Sequence, residues 1–403
     1  MFMAMFDRSS PAGGSPAHPP AALRPAALRG RGAVANVAHR FQTDSREQVD
    51  EAIAEAPVRF VTTIEVERAR TLMSRNTSPD IPFDVAINPY RGCEHGCVYC
   101  YARPTHAYLG YSPGLDFETR LVAKSNAVQA LTADLAKPGY RASPINLGSA
   151  TDIYQPLERD WRLTRGLLTV FRDTRHPVTL ITKNALIERD IDILADLARQ
   201  GLVAVYVSIT SLDNTLSSKL EPRASAPWRR LKTLRTLADA GIPVGVLVAP
   251  VIPFITDEHL EHIVSEAARA GAAYGNYTVI RLPYEVKDIF EAWLHAHYPD
   301  RAERVLHRIE DMRAGRLNDP QFGTRMRGTG LWADLLKQRF GVAARRAGLN
   351  RQRLQLNSDL FIPPAAPARA KGNFTAFSAS SAAADRHREA LGASSSVQFG
   401  LFD

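Results

Sequence analysis

The stretch Pro89-Tyr90-Arg91-Gly92-Cys93-Glu94-His95-Gly96-Cys97-Val98-Tyr99-Cys100-Tyr101-Ala102-Arg103-Pro104 contains all three cysteines of a 403-residue chain, spaced Cys-x3-Cys-x2-Cys. Thiolates are the usual protein ligands of iron–sulfur clusters, and three of them leave one iron of a [4Fe-4S] cluster open. An open metal position points to catalysis. Two other readings of the same residues stand beside this one. A Cys3His zinc site has the right ligand types if it uses His95, although His95 lies between two of the cysteines and no second ligand pair follows. A disulfide framework suits an odd, tightly spaced trio poorly.

Outward from this run, short β-rich segments alternate with helical patterns, as expected of βα units around a parallel sheet. Strands are predicted at 83–88, 145–148, 178–182, 203–209, 244–248 and 277–280. Helices are predicted at 185–200, behind a cap at Asn184, and at 228–240, ending at Gly241. Six such units predict an α/β fold of the partial-barrel type. In barrels the chemistry collects at the C-terminal ends of the strands, and Cys93 begins five residues after the first predicted strand.

A hydrophobic content of 45% is enough for a full-sized core. The longest apolar run, 242–255, is interrupted by Pro243, Pro250 and Pro253, so it reads as a buried strand and loop and no membrane partner is expected. Residues 1–45 are rich in Ala, Pro, Gly and Arg, without an apolar segment followed by a cleavage site; they predict a disordered basic segment, with the cytoplasm as default location. The Ser/Ala-rich segment 363–403 is predicted to be a disordered tether. Between these tails lie an N-terminal extension (46–82), a core (83–293) and a basic helical extension (294–362).

Across 83–293 the chain resembles the radical S-adenosylmethionine (SAM) superfamily. The resemblance implies an open (β/α)6 TIM-like barrel and a [4Fe-4S] cluster on Cys93, Cys97 and Cys100. It also implies that SAM chelates the free iron, that reduction of the cluster cleaves SAM to a 5'-deoxyadenosyl radical, and that a reductant such as flavodoxin or ferredoxin serves it. By the same resemblance Gly148, Ser149, Thr151 and Asp152 meet the SAM ammonium, and Lys183, Ser208 and Thr210 lie near its carboxylate and ribose. Arg223 reaches the carboxylate, and Tyr99, Pro250 and Ile252 flank the adenine. Each also has a plain structural reading. Ser149 or Asp152 could cap a turn, Arg223 could be a surface residue beside Glu221, and Tyr99, Pro250 and Ile252 could be core.

The form Cys-x3-Cys-x-Tyr-Cys-Tyr is similar to the spore photoproduct lyase group. The segments Arg91-Gly92-Cys93, Thr151-Asp152 with Tyr154-Gln155-Pro156, and Arg281-Leu282-Pro283 resemble bacterial proteins described as DNA repair photolyases. This implies lyase-like chemistry on damaged DNA, with modification of tRNA or protein as the alternative. The lyase returns a hydrogen atom from a further cysteine. This chain has no fourth cysteine, which leaves Tyr99 and Tyr101 as candidate catalytic donors. A non-catalytic zinc-bound nucleic-acid module is the reading from another class.

Charge points independently to a polyanion. Residues 301–356 hold thirteen Arg or Lys against five Asp or Glu, an excess equal to the net +8 of the whole chain. Phe322, Trp332 and Phe340 are interleaved with these cations and suit stacking on unpaired bases; the alternative is a helical cap with solvated arginines. Finally, Gln398-Phe399-Gly400-Leu401-Phe402 resembles the Gln-x-x-Leu-Phe peptides that dock on the β sliding clamp.

Overall fold

Valine- and isoleucine-rich runs become strands buried on both faces, as parallel strands covered by helices require. The computed structural model describes residues 28, 30–42 and 61–365. Its strands are β1 (Thr63–Glu67), β2 (Met73–Arg75), β3 (Val85–Ile87), β4 (Tyr90–Arg91), β5 (Arg120–Lys124), β6 (Ile145–Leu147), β7 (Val178–Thr182), β8 (Val203–Ser208), β9 (Val244–Val251) and β10 (Tyr274–Val279). The main sheet runs β10-β9-β8-β7-β6-β3-β2, and β1-β5-β4 form a smaller one. From β3 to β10 every neighbouring pair in the main sheet is parallel, and β2 is an antiparallel edge. This is the partial barrel expected: six parallel strands carry amphipathic helices outside them. In the helix Leu260–Arg269, for instance, Leu260, Ile263, Val264 and Ala267 make the buried face.

All six predicted strands form. The predicted helix at 185–200 opens as a 3-10 turn, Ala185–Asp190, with the Asn184 side chain accepting from the Leu186 amide at 2.9 Å, and continues as Ile191–Arg199. The helix Pro227–Asp239 ends before Gly241, whose φ of +74° reverses the chain. The last strand starts three residues earlier than expected, at Tyr274. Gly275 and Asn276 are poor strand formers, yet pairing of Tyr274 with Gly245 of β9 overrides that preference.

Two features go beyond the sequence reading. In the N-terminal extension the described residues 61–82 join the sheets, β2 extending the main one and β1 pairing with β5. Within the segment expected to be disordered, residues 30–42 are docked. Ala33 is fully buried, the Gly32 and Ala33 amides donate to the Glu118 carboxylate, and Arg40 pairs with Glu285 at 3.0 Å. Composition missed this because the partners lie far off in sequence. The rest of 1–45 apart from Leu28, all but 363–365 of the Ser/Ala-rich segment, and the clamp-like peptide lie outside the described residues.

The basic extension covers the edge of β10. Val279 donates to the Met326 carbonyl and Asn350 to that of Ala273. From there residues 321–327 form a strap across the barrel's opening to the turn after β2, where Asp80 accepts from the Gly323 amide and pairs with Arg325. Trp332 packs on Phe254 (5.4 Å between ring centroids) and Phe340 on Tyr277 (4.9 Å), so these two aromatics serve the cap; Phe322 alone of the three is exposed, at 57%. Among the described residues no helix is long and apolar enough to cross a membrane.

Candidate active site

The cysteine loop leaves β4 and crosses the barrel mouth. Gly96 has φ +65°, and Gly32 of the docked N-terminal segment lies so close that a Cβ on Gly32 would overlap the Gly96 carbonyl. Buried side chains satisfy the loop's backbone. Gln155, fully buried, accepts from the Glu94 amide at 2.8 Å and donates to the Gly92 carbonyl at 3.2 Å. Arg103, also fully buried, donates to the carbonyls of Cys97 (2.9 Å), Pro113 and Gly114 and pairs with Glu118. The Val98 amide donates to Leu220 at 3.1 Å. A loop whose polar groups are met this way has one rigid shape.

All three thiols are free, which removes the disulfide reading. Burial pushes the Cys97 thiol up to about 12, and burial with the nearby Asp152 carboxylate raises Cys93 well above its ordinary value. Such thiols give up protons when a metal compensates the charge. His95, which lines the same cavity as the thiols, is held by two other side chains. Its Nε2 accepts from Asn184 Nδ2 at 3.1 Å, and its Nδ1 lies 3.3 Å from Asp152 Oδ2, short of hydrogen-bond alignment. Among the described residues no three His, Cys, Asp or Glu side chains converge on one ion position. Three free thiols lining one cavity are donors for three corners of a cluster.

A cavity of about 1310 Å³ opens beside the three cysteines, lined also by Tyr99, Tyr101, Gly148, Ser149, Thr151, Asp152, Lys183, Ser208 and Pro250. The fold thus brings together most of the residues singled out from the sequence. Thr210, Arg223 and Ile252 are not in this lining. Arg223 pairs with Glu94 at 3.0 Å, and Ile252 is fully buried in the core. Glu221, two residues before Arg223, is buried against Arg230.

Asp152 is spoken for within the chain. One oxygen accepts from the Tyr154 amide and Thr182 hydroxyl, the other from the Lys183 amide. Burial works to raise its pKa, but His95 and those amides outweigh it and bring it to about 2. Lys183 is different. Burial works against its charge, yet Cys97, Glu221 and Asp152 hold its pKa raised, and among the described residues no carboxylate lies within ion-pair distance of its ammonium. Thr151 Oγ1 is likewise buried without a partner. The Tyr99 hydroxyl donates to Glu221, which also accepts from Thr210 (2.8 Å) and pairs with Arg230; Tyr101 donates to the Ser149 carbonyl and leaves its ring half exposed.

Residues 87–267 match the family model of the Radical SAM superfamily. These residues are a radical SAM domain. The chain is 36% identical over 226 residues to an uncharacterized protein of Mycobacterium tuberculosis H37Rv, covering 56% of this chain and 66% of that one. It is 28% identical over 220 residues to an uncharacterized protein of Methanocaldococcus jannaschii, covering 54% and 78%. Among solved structures, the fold is similar to spore photoproduct lyase complexed with dinucleoside spore photoproduct. That match has a TM-score of 0.51 at 18% identity and covers 71% of this chain and 80% of the other. A lyase variant with bound SAM and the same dinucleoside aligns equally well, with a TM-score of 0.51 at 18% identity over 71% of this chain and 80% of the lyase.

The sequence reading missed the pairs that hold this radical SAM domain's mouth in shape, Arg103–Glu118 and Arg230–Glu221, and the clamp role of Gln155. The Thr151-Asp152 and Tyr154-Gln155-Pro156 segment was the available signal, since its buried members turn out to fix the cysteine loop and the end of β7.

Proposed function

We propose that the cavity is the active site of a radical SAM enzyme with lyase-like activity on nucleic acid, DNA in preference to RNA. The observation that carries this reading is the placement of three free thiols and an unpaired Lys183 ammonium on the wall of one large cavity inside a radical SAM domain. Cys93, Cys97 and Cys100 would hold a [4Fe-4S] cluster. The cluster and SAM, when bound, supply reductive cleavage to a 5'-deoxyadenosyl radical. Lys183 would neutralise the SAM carboxylate. Gly148, with φ +90° and room for no Cβ beside the Ile181 carbonyl, lets backbone approach the ligand. Tyr99 and Tyr101 remain the candidate hydrogen donors. Of the two, Tyr101 supports the role better, because its ring is half exposed while the Tyr99 hydroxyl is buried on Glu221. The six Arg and Lys against two Asp in the cavity lining support an anionic substrate. A reductant partner such as flavodoxin or ferredoxin follows from this chemistry.

Anaerobic reconstitution tests the reading. The protein should bind four irons per chain with broad visible absorbance and should cleave SAM on reduction. Cys100→Ala should lose iron and SAM cleavage together; full iron content with turnover in that variant would falsify the assignment.

A further inference from the structure

The wall of the cavity formed by β10 and the strap 321–327 carries groups that the cluster and SAM leave unused. Arg281, two residues beyond β10, lines the cavity near the Tyr101 ring, its guanidinium carbon 5.8 Å from the ring centroid. Its Nε is buried without a hydrogen-bond partner, and its Nη1 reaches only the Met326 sulfur at 3.7 Å. No carboxylate lies within ion-pair distance of it among the described residues. A desolvated guanidinium without an anion is costly, and the cost is relieved when a ligand supplies the charge.

Neighbouring groups share the same deficit. Arg327 Nη1 and the Tyr277 hydroxyl line the same cavity, buried and without hydrogen-bond partners, with the Arg327 guanidinium 3.9 Å from the Tyr277 ring centroid. All of these can donate, so the wall calls for a ligand rich in acceptors. The acids that could answer them are engaged elsewhere, Asp80 with Arg325 and Asp152 with the end of β7. On the strap, Phe322 offers an exposed ring with Arg325 4.6 Å from its centroid.

We propose that this wall is a phosphodiester subsite. Arg281 binds the phosphate oxygens, Arg327 and Tyr277 complete the donor set, and Phe322 stacks on an adjoining base. The inference rests on reading the cavity as the active site and names the part of the substrate it takes. A phosphodiester is favoured over a peptide carboxylate because the donors are accompanied by a free aromatic face, which a nucleotide uses and a carboxylate does not.

The test is binding by the full chain, read by fluorescence anisotropy, which needs neither cluster nor turnover. The probes are a labelled thymidine trinucleotide and the same molecule with neutral methylphosphonate links. The charged probe should bind about tenfold tighter at low salt. Arg281→Gln should bring the two within about twofold of each other, with Arg281→Lys between, while SAM cleavage without oligonucleotide stays at the parent level. Phe322→Ala, on an exposed position, should weaken the trinucleotide about tenfold and leave an abasic trinucleotide unchanged. Equal affinity of the parent protein for both probes, an undiminished preference in Arg281→Gln, or tighter binding of tetraglutamate than of the trinucleotide overturns the subsite. Absence of SAM cleavage in the parent protein, with the probe preference intact, would instead overturn the enzymatic reading and leave the subsite standing.

Discussion

Single side chains govern this site by closing backbone bonds around the cysteines. Gln155 is the clearest case, since one amide meets two loop groups that have no other partner in reach. Gln155→Leu keeps the volume and strands both groups, so denaturant unfolding should show a loss of about 2–6 kcal/mol, at about 1–3 kcal/mol for each buried group left unmet. Iron loading of the refolded variant should fall with it. Lys183 has a different task. Lys183→Met should leave iron content unchanged and weaken SAM binding by roughly 10–100-fold in calorimetry, the worth of one charged hydrogen bond. Equal SAM affinity would remove Lys183 from the ligand contacts.

Among the elements, the junction between the helix Leu163–Asp173 and β7 carries a titration. His176 is fully buried between Tyr140, Phe171 and Phe361, with Nε2 on the Tyr140 hydroxyl at 2.7 Å and Nδ1 on the Pro177 carbonyl. Burial brings its pKa from 6.5 down to about 4. A depressed imidazole favours the fold when neutral. Its contribution is therefore complete above pH 6.5, declines as the pH falls toward 4, and is gone below that. The decline amounts to roughly 3 kcal/mol at most, at 1.36 kcal/mol per pH unit. His176→Phe should flatten the stability profile between pH 6.5 and 4 in denaturant titrations; an unchanged slope would mean that another group titrates there.

At the scale of the whole molecule, the basic extension divides its charge between two tasks. Arg313 is buried on the carbonyls of Val279, Ile280 and Arg325, Arg325 holds the strap, and Arg339 pairs with Glu261. These cations are structural. Arg345, Arg346, Arg351 and Arg353 form no ion pair among the described residues, and they are the ones expected to meet phosphates. Changing all four to Gln should weaken binding of single-stranded DNA and reduce its salt dependence, each lost phosphate contact lowering the log–log slope by about 0.7. An identical slope would assign these arginines to the solvated surface.

Much of this architecture was readable from the chain before any coordinates. The cysteine spacing, the six β-rich runs and the cap at Asn184 are local patterns, and local patterns survive because backbone sterics and side-chain periodicity act over a few residues. That Cys93, Cys97, Cys100, Tyr99, Asp152 and Lys183 line one cavity was legible for that reason, each being at the end of a predicted strand or in the cysteine run. What the fold alone settled depends on approach between distant segments. Residues 31–33 reach Glu118 across more than eighty positions, and Glu221 chooses Arg230 over Arg223 although both are close in sequence. Trp332 and Phe340 pack inward while Phe322 faces outward, although all three sit in the same basic context. Burial decides such cases, because desolvation makes a charge or a ring commit to one partner, and which partner is near is fixed only when the strands have closed around the cavity.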